Sequence, residues 1–183
     1  MKQFALTVVG GVMLAAGMTG CADMTVAPPM TIPDSLKVPD GQVLMMKTQA
    51  SGFQIYQCKA LDAAKYEWTL VAPEATLYDA SGNQVGKHYA GPSWETLDGS
   101  KVVGEVKAKD PGTDATAIPW LLLAAKSHSG DGIFSSVTYV QRLFTVAGKA
   151  PPDGCDGGHV GAELRVAYKA AYYFYVVRPA AGL

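Results

Sequence analysis

The clearest pattern of hydrophobic and polar positions lies near the C-terminus, where the two classes alternate. Between residues 162 and 176 the even positions are apolar, with one tyrosine pair, and the odd positions include Glu163, Arg165 and Lys169. A period of two is typical of a β-strand with one buried face. The Ala, Lys and Glu residues favour a helix by propensity, but the length of the alternation and its Tyr, Phe and Val residues favour a strand.

Short apolar runs separated by turn residues predict further strands after Gly41. Asp98-Gly99-Ser100 suits a tight hairpin, and residues 118–126 fit either a strand buried on both faces or one short helix. The runs are 43–49, 53–60, 66–71, 74–79, 84–91, 101–109, 118–126 and 137–146. With no convincing amphipathic helix, they predict one all-β domain, an antiparallel β-sandwich or barrel of about nine strands.

The first 20 residues are predicted to be a lipoprotein signal peptide. Lys2 precedes an apolar run that ends at Met18, which is too short to span a bilayer, and small residues stand directly before Cys21. This arrangement resembles a bacterial lipobox, in which the cysteine is acylated; an ordinary secretory signal is the alternative. We expect Cys21 to be the lipid attachment site and the bilayer to be a partner. Because Ala22 and not Asp follows, we expect an outer-membrane lipoprotein of the bacterial cell envelope, facing the periplasm or the cell surface.

Residues 21–41 are rich in proline and differ from the rest of the chain. They predict an extended tether between the membrane and a domain that comprises residues 42–183. Alternatively, this segment lies along the domain, in which case Ile32, Leu36 and Val38 are the residues that would dock.

Charge and cysteine content exclude several classes of function. The chain has 15 basic and 16 acidic residues without a polybasic run, so we expect no nucleic acid partner. Cys58 and Cys155 form an even pair in an oxidising compartment, which predicts a disulfide. The alternative is metal or haem, but residues 155–159 lack the second cysteine of a haem attachment motif. No H-x-H or H-E-x-x-H spacing occurs, and we predict neither a metal nor a cofactor.

Residues 86–104 hold a histidine, a tryptophan and two carboxylates between two predicted turns. His88, Glu95 and Asp98 could converge across the hairpin, where a histidine beside a carboxylate serves as a general base. The carboxylates of this segment therefore support a secreted hydrolase as the alternative function. No G-x-S-x-G elbow occurs, and we expect binding or a structural role in preference to catalysis.

Arg142 is the most unusual polar residue of the predicted strands, since it shares a face with Val140 and Phe144. A buried arginine needs a partner, and Glu95, Glu74 or Asp98 would form a structural ion pair. Alternatively, it anchors an anionic small molecule or a glycan beside a tryptophan, as in a typical ligand pocket. The candidate binding residues are His88, Trp94, Glu95, Trp120 and Arg142.

Several separate motifs carry a resemblance to a known family. They are QIYQC (54–58), PEATLYD (73–79), GKHYAGPSWETLDGSKVVGEV (86–106), IPWLLLAA (118–125), VQRLFTVAGKAPPDGC (140–155) and VAYKAAYYFYV (166–176). Over residues 41–178 the chain resembles the domain of unknown function 3455 family, secreted or lipid-anchored proteins of bacteria and fungi. The resemblance implies no particular activity and no oligomeric state, but the paired cysteines of the family correspond to Cys58 and Cys155.

Overall fold

Eight antiparallel strands form a closed barrel in the computed structural model, which describes residues 31–180. Each strand pairs with its neighbours in chain order, and the last strand pairs with the first. The strands are β1 (Gln42–Ala60), β2 (Tyr66–Tyr78), β3 (Gln84–Tyr89), β4 (Ser93–Thr96), β5 (Lys101–Asp110), β6 (Trp120–Ser129), β7 (Val137–Ala147) and β8 (Glu163–Val177). No helix among residues 31–180 is both long and apolar enough to cross a bilayer.

The predicted all-β architecture is confirmed, and of the two predicted forms the barrel is correct. The predicted count of nine is close to the observed eight. Gly52 and Pro73 lie inside continuous strands and do not end them, which reduces nine predicted strands to seven, and the short strand β4, which was not predicted, is the eighth. Gly52 is required there, since a Cβ atom at this position would lie 2.1 Å from the backbone oxygen of Glu74 on β2. The glycine permits close approach of two backbones and is not a turn residue.

Strand alternation places the core inside the barrel. The even positions of β8 face inward as predicted, and Tyr168, Tyr172 and Phe174 are all buried. Residues 118–126 fall mostly in β6, which is buried on both faces: Leu121 and Leu123 point into the barrel core. The neighbouring positions belong to a second apolar cluster on the outer face, in which Trp120 and Leu122 are buried.

A segment before β1 covers this outer cluster. A short 3₁₀ turn, Asp34–Leu36, brings the side chain of Leu36 to complete burial against β5 and β6. The buried side chain of Gln141 donates a hydrogen bond of 2.6 Å from Nε2 to the Leu36 carbonyl. Ile32 and Val38 pack on the same cluster. For residues 32–38, therefore, the docked arrangement describes the structure, and the tether does not.

A bulge in β7 overturns one expectation. The pairing of β7 with β8 shifts register between Leu143 and Val146, and Phe144 adopts a φ of 51°. This left-handed residue reverses the alternation. Arg142, before the bulge, alternates with the inward Val140 and faces the cavity inside the barrel, whereas Phe144 is turned outside, with its ring 5.1 Å from that of Trp120. The prediction that Arg142 and Phe144 share a face is wrong.

The two ends of the barrel are closed differently. At the plugged end, where the loops 79–83, 97–100 and 130–136 lie, the fully buried Phe134 fills the interior. At the disulfide end, where the loops 61–65, 90–92, 111–119 and 148–162 lie, the predicted disulfide between Cys58 and Cys155 is confirmed. It connects the inward face of β1 to the loop 148–162.

Candidate binding cavity

The wall of the barrel is incomplete on one side of the disulfide end. The hairpin of β3 and β4 is short: β3 pairs with β2 only at residues 75–78, and β4 pairs with β5 only at residues 101–103. The remainder of β2 and β5 on this side therefore continues past the turn 90–92 without a strand between them. This arrangement leaves an opening in the barrel wall, bordered by the turn 90–92, which we call the window.

A cavity of about 500 Å³ opens at the window. Exposed apolar side chains of β2 and β5 form its rim, including Leu70, Val71 and Val106. Deeper walls are supplied by Ile118 and Leu121. A volume of this size, with apolar walls and a few polar groups, is typical of small-molecule sites.

Arg142 is the only charged residue in the depth of this cavity among residues 31–180, and Lys109 lies exposed at its rim. Its Nε and Nη2 atoms donate hydrogen bonds of 3.1 and 2.9 Å to the Pro119 carbonyl, which fixes the guanidinium against the start of β6. No carboxylate of the described chain lies within 4.0 Å of it, and none lines the cavity. The cavity is therefore positively charged without an internal counter-charge.

The carboxylates predicted to pair with Arg142 are engaged elsewhere, so the structural ion pair expected for it is wrong. Glu74 accepts a hydrogen bond of 2.8 Å from Arg165 on the outer surface. The carboxylate of Asp98 accepts bonds from Ser100 and Thr96 at the plugged end, which hold its pKa well below the usual range. Glu95 pairs with Lys87 at 3.1 Å.

His88 contributes a neutral imidazole to the lining. Its Nδ1 atom lies 2.8 Å from the Ser93 carbonyl, which can only accept, so Nδ1 carries the proton and Nε2 is an acceptor. Burial lowers the pKa of His88 to about 3, and the charge of Arg142 acts in the same direction. At neutral pH the ring is uncharged and is a poor general base.

Two residues of β1 complete the polar lining, and the sequence analysis did not select either. Gln54 is 1% exposed, and its Nε2 atom makes no hydrogen bond of normal geometry, although its side chain interacts with the Tyr168 hydroxyl. The Tyr56 hydroxyl donates a bond of 2.7 Å to the Gly148 carbonyl and so joins the lining to the loop 148–162. Both residues could have been found from the alternation along QIYQC (54–58), because the inward position of Cys58 requires Gln54 and Tyr56 to face inward as well.

Aromatic side chains lie behind the lining and fix its shape. Trp94 is 1% exposed and stacks on His88, with ring centroids 4.6 Å apart and an angle of 13° between planes. Tyr172 packs against both rings, tilted to that of His88 and edge-on to that of Trp94. Burial raises the pKa values of Tyr168 and Tyr172, and the charge of Arg142 opposes that rise. Trp94 thus supports the site without lining the cavity.

Two of the five candidate residues face the outside of the barrel. Glu95 follows the inward Trp94, so alternation turns it outward, where it accepts a bond of 2.6 Å from the Tyr89 hydroxyl. Trp120 belongs to the outer cluster under Leu36. His88 and Arg142 line one cavity, with Trp94 directly behind, whereas Glu95 and Trp120 do not contribute to it.

The described residues hold no group of three or more His, Cys, Asp or Glu side chains that could bind a metal ion. His159 pairs with Asp156 on the surface, 2.8 Å apart. The predicted lipid attachment residue, Cys21, and the predicted signal peptide lie outside the described residues.

Comparison with known proteins gives one family. Residues 39–176 match the family model described as "Protein of unknown function (DUF3455)", which confirms the resemblance found in the motifs. A comparison with curated proteins found no match.

Proposed function

The chain belongs to the domain of unknown function 3455 family, and from that premise we propose that its barrel binds a small organic molecule without transforming it. The observation that carries this proposal is the cavity of about 500 Å³ behind the window. Its lining includes a buried amide donor, Gln54 Nε2, that no protein atom satisfies. A buried donor of this kind is costly unless a ligand or water accepts its hydrogen bond.

The nature of the lining favours binding over catalysis. Among the residues that line the cavity there is no Ser, Thr, Cys, Asp or Glu, and His88 is too weak a base to remove a proton at neutral pH. Neither carboxylate suggested for a hydrolase, Glu95 or Asp98, lines it.

A small molecule is better supported than a glycan as the ligand. Sugar rings pack on exposed aromatic faces, whereas Trp94 and Trp120 are 1% and 2% exposed. The walls that the cavity does offer are aliphatic, with Leu121 and Ile118 as examples. These walls suit an apolar ligand body of moderate size.

The test is the binding of two fluorescent dyes to the full chain with its disulfide formed. One dye is neutral, N-phenyl-1-naphthylamine, and the other is anionic, 8-anilinonaphthalene-1-sulfonate. Val106 lines the window and pairs with Leu123, which faces the barrel interior, so Val106→Trp should abolish binding by filling the opening. Ala80→Trp, the control, introduces a tryptophan at an exposed turn of the plugged end and should leave binding intact. Binding of neither dye, or equal binding to both variants, would contradict the proposal.

We also propose that the protein is a lipid-anchored component of the bacterial cell envelope, facing the periplasm or the cell surface. The support is the lipobox-like sequence before Cys21. The cysteine of a lipobox carries more than one acyl chain, which is what stable anchoring in a membrane needs. Cys21→Ser should abolish incorporation of radiolabelled palmitate and release the protein from the membrane fraction. Cys21→Ser protein that still carries label and sediments with membranes would refute the assignment.

A further inference from the structure

The distribution of charge in the cavity identifies the class of ligand. The lining contains two cationic side chains, Arg142 and Lys109, and no anionic one among the described residues. A charge removed from bulk water without a counter-charge is unfavourable. An anionic group on the ligand would supply the missing partner, whereas a cationic ligand would meet repulsion with nothing to offset it.

The position of the guanidinium determines where that anionic group would bind. The bonds to the Pro119 carbonyl use Nε and Nη2, and the guanidinium also interacts with the neutral Tyr172 hydroxyl, so no anion occupies it and Nη1 is not committed to the backbone. A guanidinium fixed in this way needs little reorganisation to accept a carboxylate, the planar anion that its geometry matches. The free amide hydrogens of Gln54 Nε2 offer a second donor on the same lining.

The other groups limit the remainder of the ligand. Only one cation lies deep in the cavity, because Lys109 is exposed at the rim; this favours a singly charged anion over a phosphate dianion. His88 Nε2 is an acceptor and would repel the anion, so it faces another part of the ligand. The aliphatic walls of Leu121, Ile118 and Val106 require an apolar body.

We propose that the ligand is an organic monocarboxylate with an apolar body, bound through its carboxylate to Arg142 and Gln54. This assignment rests on the proposed binding function and names the ligand class for the same cavity. It follows from the juxtaposition of an arginine without a counter-charge, an unpaired buried amide and aliphatic walls.

A matched pair of probes separates charge from shape. 2-Naphthoate and 2-naphthamide share one apolar body and differ in the anionic group. Isothermal titration of the full, disulfide-bonded chain should show 2-naphthoate binding about tenfold to a hundredfold more tightly, the range expected for charge-assisted hydrogen bonds. Equal affinities would overturn the carboxylate assignment and leave the binding function intact. Binding of neither probe, together with failure of both dyes, would overturn the binding function as well.

Two variants locate the preference. Arg142→Met should reduce the affinity for 2-naphthoate to that for 2-naphthamide. The control, Arg165→Met, removes an arginine that pairs with Glu74 outside the barrel and should change neither affinity. If Arg142→Met fails to fold, the nearly isosteric Gln54→Glu decides, since its added carboxylate on the lining should weaken 2-naphthoate alone. A preference for 2-naphthoate that survives in Gln54→Glu, or in Val106→Trp, would refute the proposal.

Discussion

The two halves of the barrel interior are built from the same strands but differ in packing and polarity. Toward the plugged end the interior is filled by aromatic rings: Phe134 and Phe174 lie 4.4 Å apart, and Trp94 packs edge-on against Phe174 at 6.2 Å. Toward the disulfide end the inward positions of β1, β3 and β7 carry Gln54, His88 and Arg142 around a cavity. One half resembles an ordinary core, and the other is polar and open.

Close packing and the cavity are therefore separated along the barrel axis. Core residues gain stability from close packing, and Gly104 illustrates how close it is, since an added Cβ would lie 2.9 Å from the Trp94 ring. The polar half cannot stabilise itself in this way, because its groups lose hydration without full compensation. It is held instead by the disulfide and by the bond from Tyr56 to Gly148.

Removing the disulfide should have the largest effect on stability and should affect the disulfide end most. The bond closes a loop across 97 positions, for which chain entropy gives about 4.7 kcal/mol. We expect Cys58→Ser with Cys155→Ser to lose about 4 kcal/mol of unfolding free energy in urea titrations. Hydrogen exchange should accelerate mainly in the loop 148–162 and much less in the loop 130–136. An unchanged urea midpoint, or uniform acceleration at both ends, would contradict the separation of the two halves.

Two leucines on the inward face of β6 allow the packing of the two halves to be compared within one strand. Leu123 is 1% exposed in the packed half, while Leu121 borders the cavity. Leu123→Ala should cost about 3–5 kcal/mol of unfolding free energy, because it leaves a void inside close packing. Leu121→Ala should cost about 2 kcal/mol, since it only enlarges an existing opening. The measurement is urea denaturation, and a larger loss for Leu121→Ala would contradict the assignment of the two halves.

For a change of one pH unit, the smallest expected effect is the pH dependence of stability that His88 contributes at the boundary between the halves. Its pKa is lowered to about 3 in the folded chain, against about 6.5 when unfolded. Below pH 6.5 only the unfolded state binds the proton, so unfolding free energy falls by about 1.4 kcal/mol per pH unit as pH decreases toward 3. Above pH 6.5 this contribution is fully present and constant.

His88→Gln cannot titrate and serves as the control for other groups. Between about pH 6 and about pH 4, the unfolding free energy of the unsubstituted chain should fall more steeply than that of the variant by this slope. Parallel pH profiles would show that His88 is accessible to protons in the folded chain and is not buried at the boundary.

Local pattern predicted the fold better than it predicted the site. Period two identified β8, and the cysteine count identified the disulfide, because each depends on residues that are close in sequence or few in number. Arg142 and His88 could be selected from the sequence because polar residues within apolar strands are conspicuous, and the structure places both at one cavity.

The failures concern features that depend on distant parts of the chain. The direction of Phe144 depends on a bulge set by pairing with β8, and the burial of Trp120 depends on Leu36 crossing its face. Glu95 was selected by proximity to His88 in sequence, although alternation from Trp94 turns it outward. Gln54 becomes a candidate binding residue only because the fold places Arg142 of β7 on the lining of the same cavity.

NMR spectra of the arginine side-chain Nε–H groups would show directly whether Arg142 anchors an anionic ligand. The chain has three arginines, Arg142, Arg165 and Arg178, so the signals can be assigned with Arg142→Lys and Arg165→Met. Addition of 2-naphthoate should shift the Arg142 signal and leave the other two in place, while 2-naphthamide should shift it much less. An Arg142 signal that stays fixed at saturating 2-naphthoate would contradict the claim that this arginine anchors an anionic ligand inside the barrel.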